Sequence, residues 1–359
     1  MNKTLKKILL TIPYIKRVHG NIQKLNSRIV AQQTELEQLR SHFIAKEYVE
    51  NQDYKTGEAN VSVGSKTPQV KLIKNLADYD EFIKKLKDNK VVDYSRYVRS
   101  YELDFYSFIK DYDYPLPQCD PFTDEYREWE INFINFLMRR DYTHDCEGFT
   151  PDFNFSEWIP TTNYNPGRRI MNMRVYAEFL NIIKPQPGEY ALTMGDGYGD
   201  ISEILGRSEC KVTYLDISSE SLRVAKHRLE QQNIHATYIQ GSFFDIGNYN
   251  GLYDLVVFDA SFHHCDNPLR LLAILNKKVS NTGKICFLTE PIHPFFDRPW
   301  GMVRYDGECL AAIGNSGWME LGFRSDFFQD ALHKTGFVID GTYLMADGNN
   351  MFVATKIAN

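Results

Sequence analysis

Gly195, Gly197 and Gly199 alternate in the stretch GDGYGD, directly after the apolar run EYALTM. Without a Cβ the backbone can turn sharply and approach a ligand closely, and in open α/β sheets such turns lie just beyond the carboxyl end of a strand. Taken alone, a glycine-rich turn only reverses the chain. Asp216 gives it chemical meaning, because it ends the next apolar run 21 residues after Gly195, where a carboxylate accepts hydrogen bonds from both hydroxyls of a ribose. The pair points to a nucleoside-containing ligand. A dinucleotide fingerprint, G-x-G-x-x-G, would need glycine at its sixth position. That position is Asp200, whose charge would compete with a pyrophosphate for the positive helix end, so a nicotinamide-dependent oxidoreductase is disfavoured.

Two further clusters border the same crevice. FDASFHHCD, Phe258 to Asp266, ends a later apolar run and places His263 and His264 in a loop at the carboxyl edge of the sheet, shortly after Asp259. An imidazole is largely neutral near pH 7 and accepts a proton without a large shift in pKa, so His264 is the expected general base and His263 its alternative. Glu290, in LTEPIHP, lies on the same rim as a second candidate base or an acceptor-orienting carboxylate, and would need a raised pKa for the first role. No metal is expected, because neighbouring residues point apart and no third ligand stands at helical spacing.

The elements that must position these residues are legible from periodicity. From residue 188 onward EYALTM, CKVTYL, ATYI, LVVF and KICFL alternate with amphipathic or turn-rich stretches, which predicts a parallel sheet covered by helices on both faces. FVIDGTYLMA and MFVATKI, joined by DGNN, add a closing hairpin and with it an antiparallel strand. The long stretch PIHPFFDRPWGMVRYDGECLAAIGNSGWMELGF between the fifth run and the last helix has the length of a binding lid. Its Trp300, Tyr305, Trp318, Glu308 and Glu320 combine flat faces with acceptors, as a polar ring such as a sugar requires. A packed excursion over the sheet edge is the competing reading. Residues 71–180 read as an aromatic-rich helical cap, 49–70 as a polar linker, and 1–48 as a basic helix. In that helix Ile15, Ile22, Ile29, Leu36 and Phe43 keep a period of seven, the seam of a self-associating coiled coil.

Composition bounds what such a chain can be. With 359 residues, 43% of them apolar, it is a folded protein with material for two domains. The net charge of -6 hides an asymmetry: nine Lys or Arg against three acids give residues 1–48 a charge of +6, which leaves -12 for the remainder. An acidic body lacks the clustered cations that nucleic-acid binding needs. No apolar run approaches the roughly 20 residues of a membrane span. MNKTLKKILLTIPYI is cut short by Pro13, Lys16 and Arg17, so it is read as a retained cytoplasmic N-terminus rather than a secretion signal. The six cysteines show no CxxC spacing and are expected as reduced thiols.

The G-x-G-x-G stretch and the closing hairpin resemble the class I S-adenosylmethionine-dependent methyltransferases over about 181–359. That resemblance implies an α/β, Rossmann-like fold with a seven-stranded, mostly parallel sheet ending in an antiparallel hairpin. It implies that Gly195, Gly197 and Gly199 line the methionine portion of the cofactor and that Asp216 holds its ribose. GSFFD, Gly241 to Asp245, would face the adenine through Ser242, Phe243 and Asp245, and Asp259 belongs to the post-strand motif. The family's usual acid two residues before the first glycine is here Thr193, which passes the cofactor's ammonium to Asp196 or to water. QCDPFTDEYREWE, SFHHC and GWMELGFRSDFF further resemble bacterial methyltransferases associated with surface-polysaccharide synthesis. The expected activity is methyl transfer from S-adenosylmethionine to a hydroxyl of a sugar or glycan by a cytoplasmic homo-oligomer. Its basic first turns offer at most a weak contact to the inner membrane face or a synthesis complex. Methylation of an amine or small metabolite, or an inert scaffold, are the alternatives.

Overall fold

Capping chemistry sets where the first helices begin. In the computed structural model, which describes residues 70–88, 91, 94–148 and 166–357, strand β1 (Lys71–Ile73) leads into helix α1 (Leu76–Lys87). Asn75 caps that helix by accepting the Asp78 amide at 3.0 Å. Tyr79, Phe82, Ile83 and Leu86 form its buried stripe at helical spacing. Helix α2 (Tyr94–Val98), strand β2 (Tyr101–Leu103), helix α3 (Phe105–Asp111) and helix α4 (Asp124–Met138) complete the cap, and β1 and β2 pair in parallel. The coil expected over 1–48, and the 49–70 linker except its last residue, lie outside the described residues.

Helix α5 (Pro166–Ile183) crosses the boundary expected at 180 and enters the alternating half. There follow β3 (Tyr190–Met194), α6 (Asp200–Arg207), β4 (Lys211–Asp216), α7 (Ser219–Gln231), β5 (Ala236–Gln240), β6 (Tyr253–Asp259), α8 (Pro268–Lys278) and β7 (Val279–Leu288). Strands β8 (Ile292–His293) and β9 (Trp300–Gly301), helix α9 (Gly307–Ala311) and strand β10 (Gly322–Arg324) form the insertion. Helix α10 (Ser325–Lys334) and the hairpin β11 (Phe337–Leu344) and β12 (Asn350–Lys356) end the chain. The large sheet runs β11-β12-β7-β6-β3-β4-β5, with β12 antiparallel to both of its neighbours and β3 to β7 parallel. This is a mixed, mostly parallel, Rossmann-like sheet. β3 and β6 are central, so their carboxyl ends open beside one another where the connections diverge to either side.

The insertion packs rather than swings. A small sheet, β8-β10-β9, anchors it, and Trp300 is buried with its indole N–H donated to the Pro121 carbonyl at 2.9 Å. Glu308 pairs with Arg99 at 2.6 Å, away from the crevice. Two of the five residues expected to hold a sugar are therefore committed elsewhere. Most cap aromatics are core as well: Phe105 stacks on Tyr305 at 4.9 Å and meets Phe133 edge-on at 5.5 Å, joining cap and insertion. Glu130 of α4 and Arg298 of the insertion, 1% and 5% exposed, form an ion pair inside this joint. No helix among the described residues is long and apolar enough to cross a membrane.

Candidate functional site

The three glycines serve three purposes. All have positive φ, +68° at Gly195, +53° at Gly197 and +84° at Gly199, a region that L side chains enter at a cost. A Cβ on Gly195 would lie 2.9 Å from that of Ser261, so this glycine lets the turn lie flat on the β6 loop. Gly197 has open space before it. At Gly199 a Cβ would lie 3.0 Å from that of Ala225, so its role is close packing of the turn on α7. Of the three, Gly197 is the one beside which space for a ligand is left.

Asp216 stands where the ribose carboxylate was expected, at the carboxyl end of β4. One oxygen accepts the Gly197 amide at 3.2 Å and the other that of Ser218 at 2.8 Å, which ties the strand end to the glycine turn. Asp196 turns the other way. Its two oxygens accept the amides of Ile201 at 3.0 Å and Ser202 at 2.7 Å, capping α6. Thr193 is buried and shares a hydrogen bond of 2.7 Å with Ser202, so it does not face the crevice. Asp259, at the end of β6, accepts the Thr289 hydroxyl at 2.6 Å and that of Tyr176 at 3.3 Å. Burial pushes the pKa up to about 7 for Asp196 and Asp259 and to about 6 for Asp216.

In the GSFFD loop, Asp245 folds back on its own segment. A single carboxylate oxygen accepts the Ser242 amide at 2.8 Å and the Ser242 hydroxyl at 2.9 Å, a capping box that occupies both side chains. The loop's contribution to a ligand is therefore backbone and the Phe243 ring, which packs edge-on to Phe258 at 5.8 Å. Phe243, Phe244 and Ile217 line an apolar slot, and the cap closes it with Tyr142, His144 and Glu147. No spacing in the sequence marks these cap residues.

The histidine pair departs most from expectation. Glu290, 2% exposed, lies under the loop: one oxygen accepts the amides of Ser261 and Phe262, both at 2.8 Å, and the other the amide of His263 at 3.1 Å and its Nδ1 at 2.8 Å. Four N–H donors leave it no capacity as a base. It fixes the His263 tautomer instead, with Nδ1–H donated and Nε2 turned toward a cavity of about 990 Å³. His264 Nδ1 lies 2.9 Å from Glu147 of the cap and its Nε2 lies 4.0 Å from Glu320 of the insertion. Burial lowers its pKa, but the Glu147 and Glu320 carboxylates outweigh burial and hold it at about 9, so the ring is charged at neutral pH. The neutral imidazole expected at His264 is thus replaced by a cation, and of the two rings His263 has the geometry of a base.

The cavity is walled by His263, His264, Asp297, Arg304, Tyr305, Trp318 and Glu320. Trp318 brings a buried indole N–H that has no acceptor among the described residues. The two strand ends on its floor are strained: Ala260 and Thr289, neither a glycine, hold φ of +49° and +57°. Such conformations persist where surrounding structure enforces them and cluster at functional sites. His264 borders both the cavity and the apolar slot, so the two spaces meet at this ring.

Residues 192–287 match a methyltransferase domain family. A sarcosine/dimethylglycine N-methyltransferase of Halorhodospira halochloris is 29% identical over 158 residues, 41% of this chain and 56% of that protein. A ubiquinone biosynthesis O-methyltransferase of Albidiferax ferrireducens is 27% identical over 134 residues, 37% of this chain and 52% of that one. The chain spans about half the length of the curated relatives it matches. Among solved structures, magnesium protoporphyrin IX methyltransferase from Synechocystis PCC 6803 with bound SAH shares 14% identity over 64% of this chain and 98% of that chain, with a TM-score of 0.40.

Proposed function

We propose, from the premise that residues 192–287 are a methyltransferase domain whose cofactor is S-adenosylmethionine, that the chain methylates a hydroxyl group of a sugar or glycan. The single observation that carries this reading is His263, pinned by Glu290 at 2.8 Å with Nε2 facing a polar, aromatic-walled cavity of about 990 Å³. The donor set fits the cofactor: ribose hydroxyls match the carboxylate of Asp216 at the end of β4, a cation matches that of Asp259 at the end of β6, and an adenine matches the slot lined by Ile217 and Phe243. The bound cofactor supplies an activated methyl group. The protein's own work is to align the acceptor oxygen, exclude water and remove a proton. His263 Nε2 is the acceptor of that proton, and Tyr305 and Trp318 supply flat faces. Self-association through residues 1–48 and a cytoplasmic location belong to the same proposal.

Incubation of the full chain with isotopically labelled S-adenosylmethionine and extracts of the source cell is expected to place the label in an ether-linked methyl group on a sugar. Label on an amine nitrogen would redirect the reading toward the chemistry named for the Halorhodospira relative.

Cofactor affinity is expected to rise with pH. Between about pH 5 and 8 the carboxyls of Asp216 and Asp259, with pKa values near 6 and 7, lose their protons, which strengthens Asp216 as an acceptor for ribose hydroxyls and makes Asp259 a partner for a cation. Binding therefore releases protons, and S-adenosylhomocysteine, which lacks the sulfonium charge, should show a shallower slope. The stability of the free protein has the opposite sign. A carboxyl whose folded pKa is raised binds its proton more tightly in the folded chain, so stability falls as pH rises from about 4 toward 7. Asp216→Ala should weaken binding by about 1.5 to 3 kcal/mol through loss of charge-assisted hydrogen bonds to the ribose. Calorimetric titration across pH checks both arms, and a pH-independent affinity unchanged by Asp216→Ala would remove the cofactor from this crevice.

A further inference from the structure

Adjacent histidines were expected to diverge, yet the rings of His263 and His264 lie 4.4 Å apart, inclined by 39°. The loop bends between them because Glu290 holds one ring from below while Glu147 holds the other from the cap. Both Nε2 atoms then face the same carboxylate: Glu320 lies 3.6 Å from that of His263 and 4.0 Å from that of His264. The three donor atoms lie within 4.8 Å of one another on the wall of the large cavity. We propose that His263, His264 and Glu320 form a binding site for a divalent transition-metal ion of the zinc class.

Three features support this beyond proximity. Two imidazole nitrogens and one carboxylate oxygen are the donor set of open zinc sites, which leave a coordination position for water or substrate. Each ring also has its Nδ1 against a carboxylate, Glu290 at 2.8 Å and Glu147 at 2.9 Å. That is the outer arrangement by which proteins orient metal-binding histidines and raise their basicity. Finally, the vacant side of the cluster opens into the cavity assigned above to the acceptor, whereas a structural zinc site is closed. Glu320 is shared with Arg304, whose guanidinium lies 3.2 Å from the oxygen nearer His263. The pairing orients the carboxylate and lowers the affinity expected of the site. An ion here would hold an acceptor through one hydroxyl oxygen and favour loss of its proton, and, bound to His263 Nε2, it would take over the activating role that the free imidazole has without it. That role rests on the methyl-transfer reading; the binding itself rests on the geometry.

The test is calorimetric titration of the full chain with Zn²⁺ at pH 8, where the ion displaces any proton that a ligating imidazole still carries. One ion per chain is expected. His263→Ala and Glu320→Gln should each weaken binding at least about tenfold, and Glu147→Gln, which removes only an outer partner, about 10- to 100-fold. Thermal melting identifies any variant that fails to fold. In the unaltered protein, ¹⁵N signals of the His263 and His264 rings should shift on addition of Zn²⁺, a readout that needs no substitution. Absence of binding overturns the inference, and so does binding that leaves these two rings unshifted, since the chain has nine histidines. One ion bound at these residues without methyl transfer supports the metal site and counts against the proposed function. Methyl transfer by a chain that binds no ion does the reverse.

Discussion

Replacing His263 with alanine is expected to lower turnover by about 100- to 10,000-fold, the range typical of a lost general base, while leaving the affinity for S-adenosylmethionine nearly intact. The two effects separate because the ring lies on the cavity wall and not in the apolar slot. Its Nδ1 is committed to Glu290, so only Nε2 is available to an acceptor. Glu290→Gln should reproduce part of the loss. An amide keeps one acceptor oxygen for the loop amides, but its NH₂ group faces donors that a carboxylate satisfies, and the tautomer of His263 is no longer fixed. His264 is already charged at neutral pH, with its pKa near 9, so His264→Gln should lower turnover less and alter the approach of the acceptor instead. The fall at His263 is expected equally if the ring holds an ion, because the ion would then lose one of three ligands. Steady-state kinetics on the acceptor found by methyl labelling, together with calorimetry for the cofactor, decide the matter. Unchanged turnover in His263→Ala, or lost cofactor binding in a folded variant, would sink the assignment.

The sheet was legible because each of its strands is a short apolar run whose neighbours in sequence are also its neighbours in space or one crossover away. The glycine turn and Asp216 were legible for the same reason: both sit at strand ends, and a strand end fixes where a residue points. What the sequence hid is long-range pairing. His264 meets Glu147 across 117 positions, and the three-residue strands β1 and β2 are too short to announce their pairing by an apolar pattern. An imidazole judged by its intrinsic pKa was therefore assigned the wrong charge, since the carboxylates that set it come from two other segments. Asp245 is a different case. Ser242 and Asp245 match the S-x-x-D pattern of a capping box, a local signal that already marked the aspartate as occupied by its own loop. Asp196, likewise, is used within six residues of itself, by the first turn of α6. Both carboxylates stand at motif positions and are spent on nearby backbone, and only their hydrogen-bond partners reveal it.

The joint between cap and insertion supplies the second large effect. Arg298→Met is expected to destabilise the protein by about 3 to 5 kcal/mol, the cost of leaving one member of a buried ion pair without its partner. That is a substantial share of the roughly 5 to 15 kcal/mol that holds a domain together. In the intact joint the Arg298 guanidinium binds the Glu130 carboxylate and the Met302 carbonyl, and lies 4.5 Å from the Phe105 ring centre and 5.3 Å from that of Trp129. Glu130 also accepts the Met302 amide at 3.1 Å, and at Gly301 any Cβ would lie 2.1 Å from its carboxylate, so the backbone is fitted around this one group. Burial alone raises the pKa of Glu130, and Arg298 opposes that rise. With the arginine gone the carboxyl should take up a proton more readily, so the destabilisation should shrink as pH falls from 8 toward 5. A double variant, Glu130→Leu with Arg298→Met, removes both charges together and should recover much of the loss, because a well-packed apolar pair can match a buried ion pair. Urea unfolding at several pH values measures all three. A single variant as stable as the unaltered chain, or a loss independent of pH, would show that the pair is not what fixes the insertion. The insertion carries Arg304, Trp318 and Glu320 to the cavity, so any variant that loosens this joint should also weaken acceptor binding while sparing the apolar slot, which these three residues do not line.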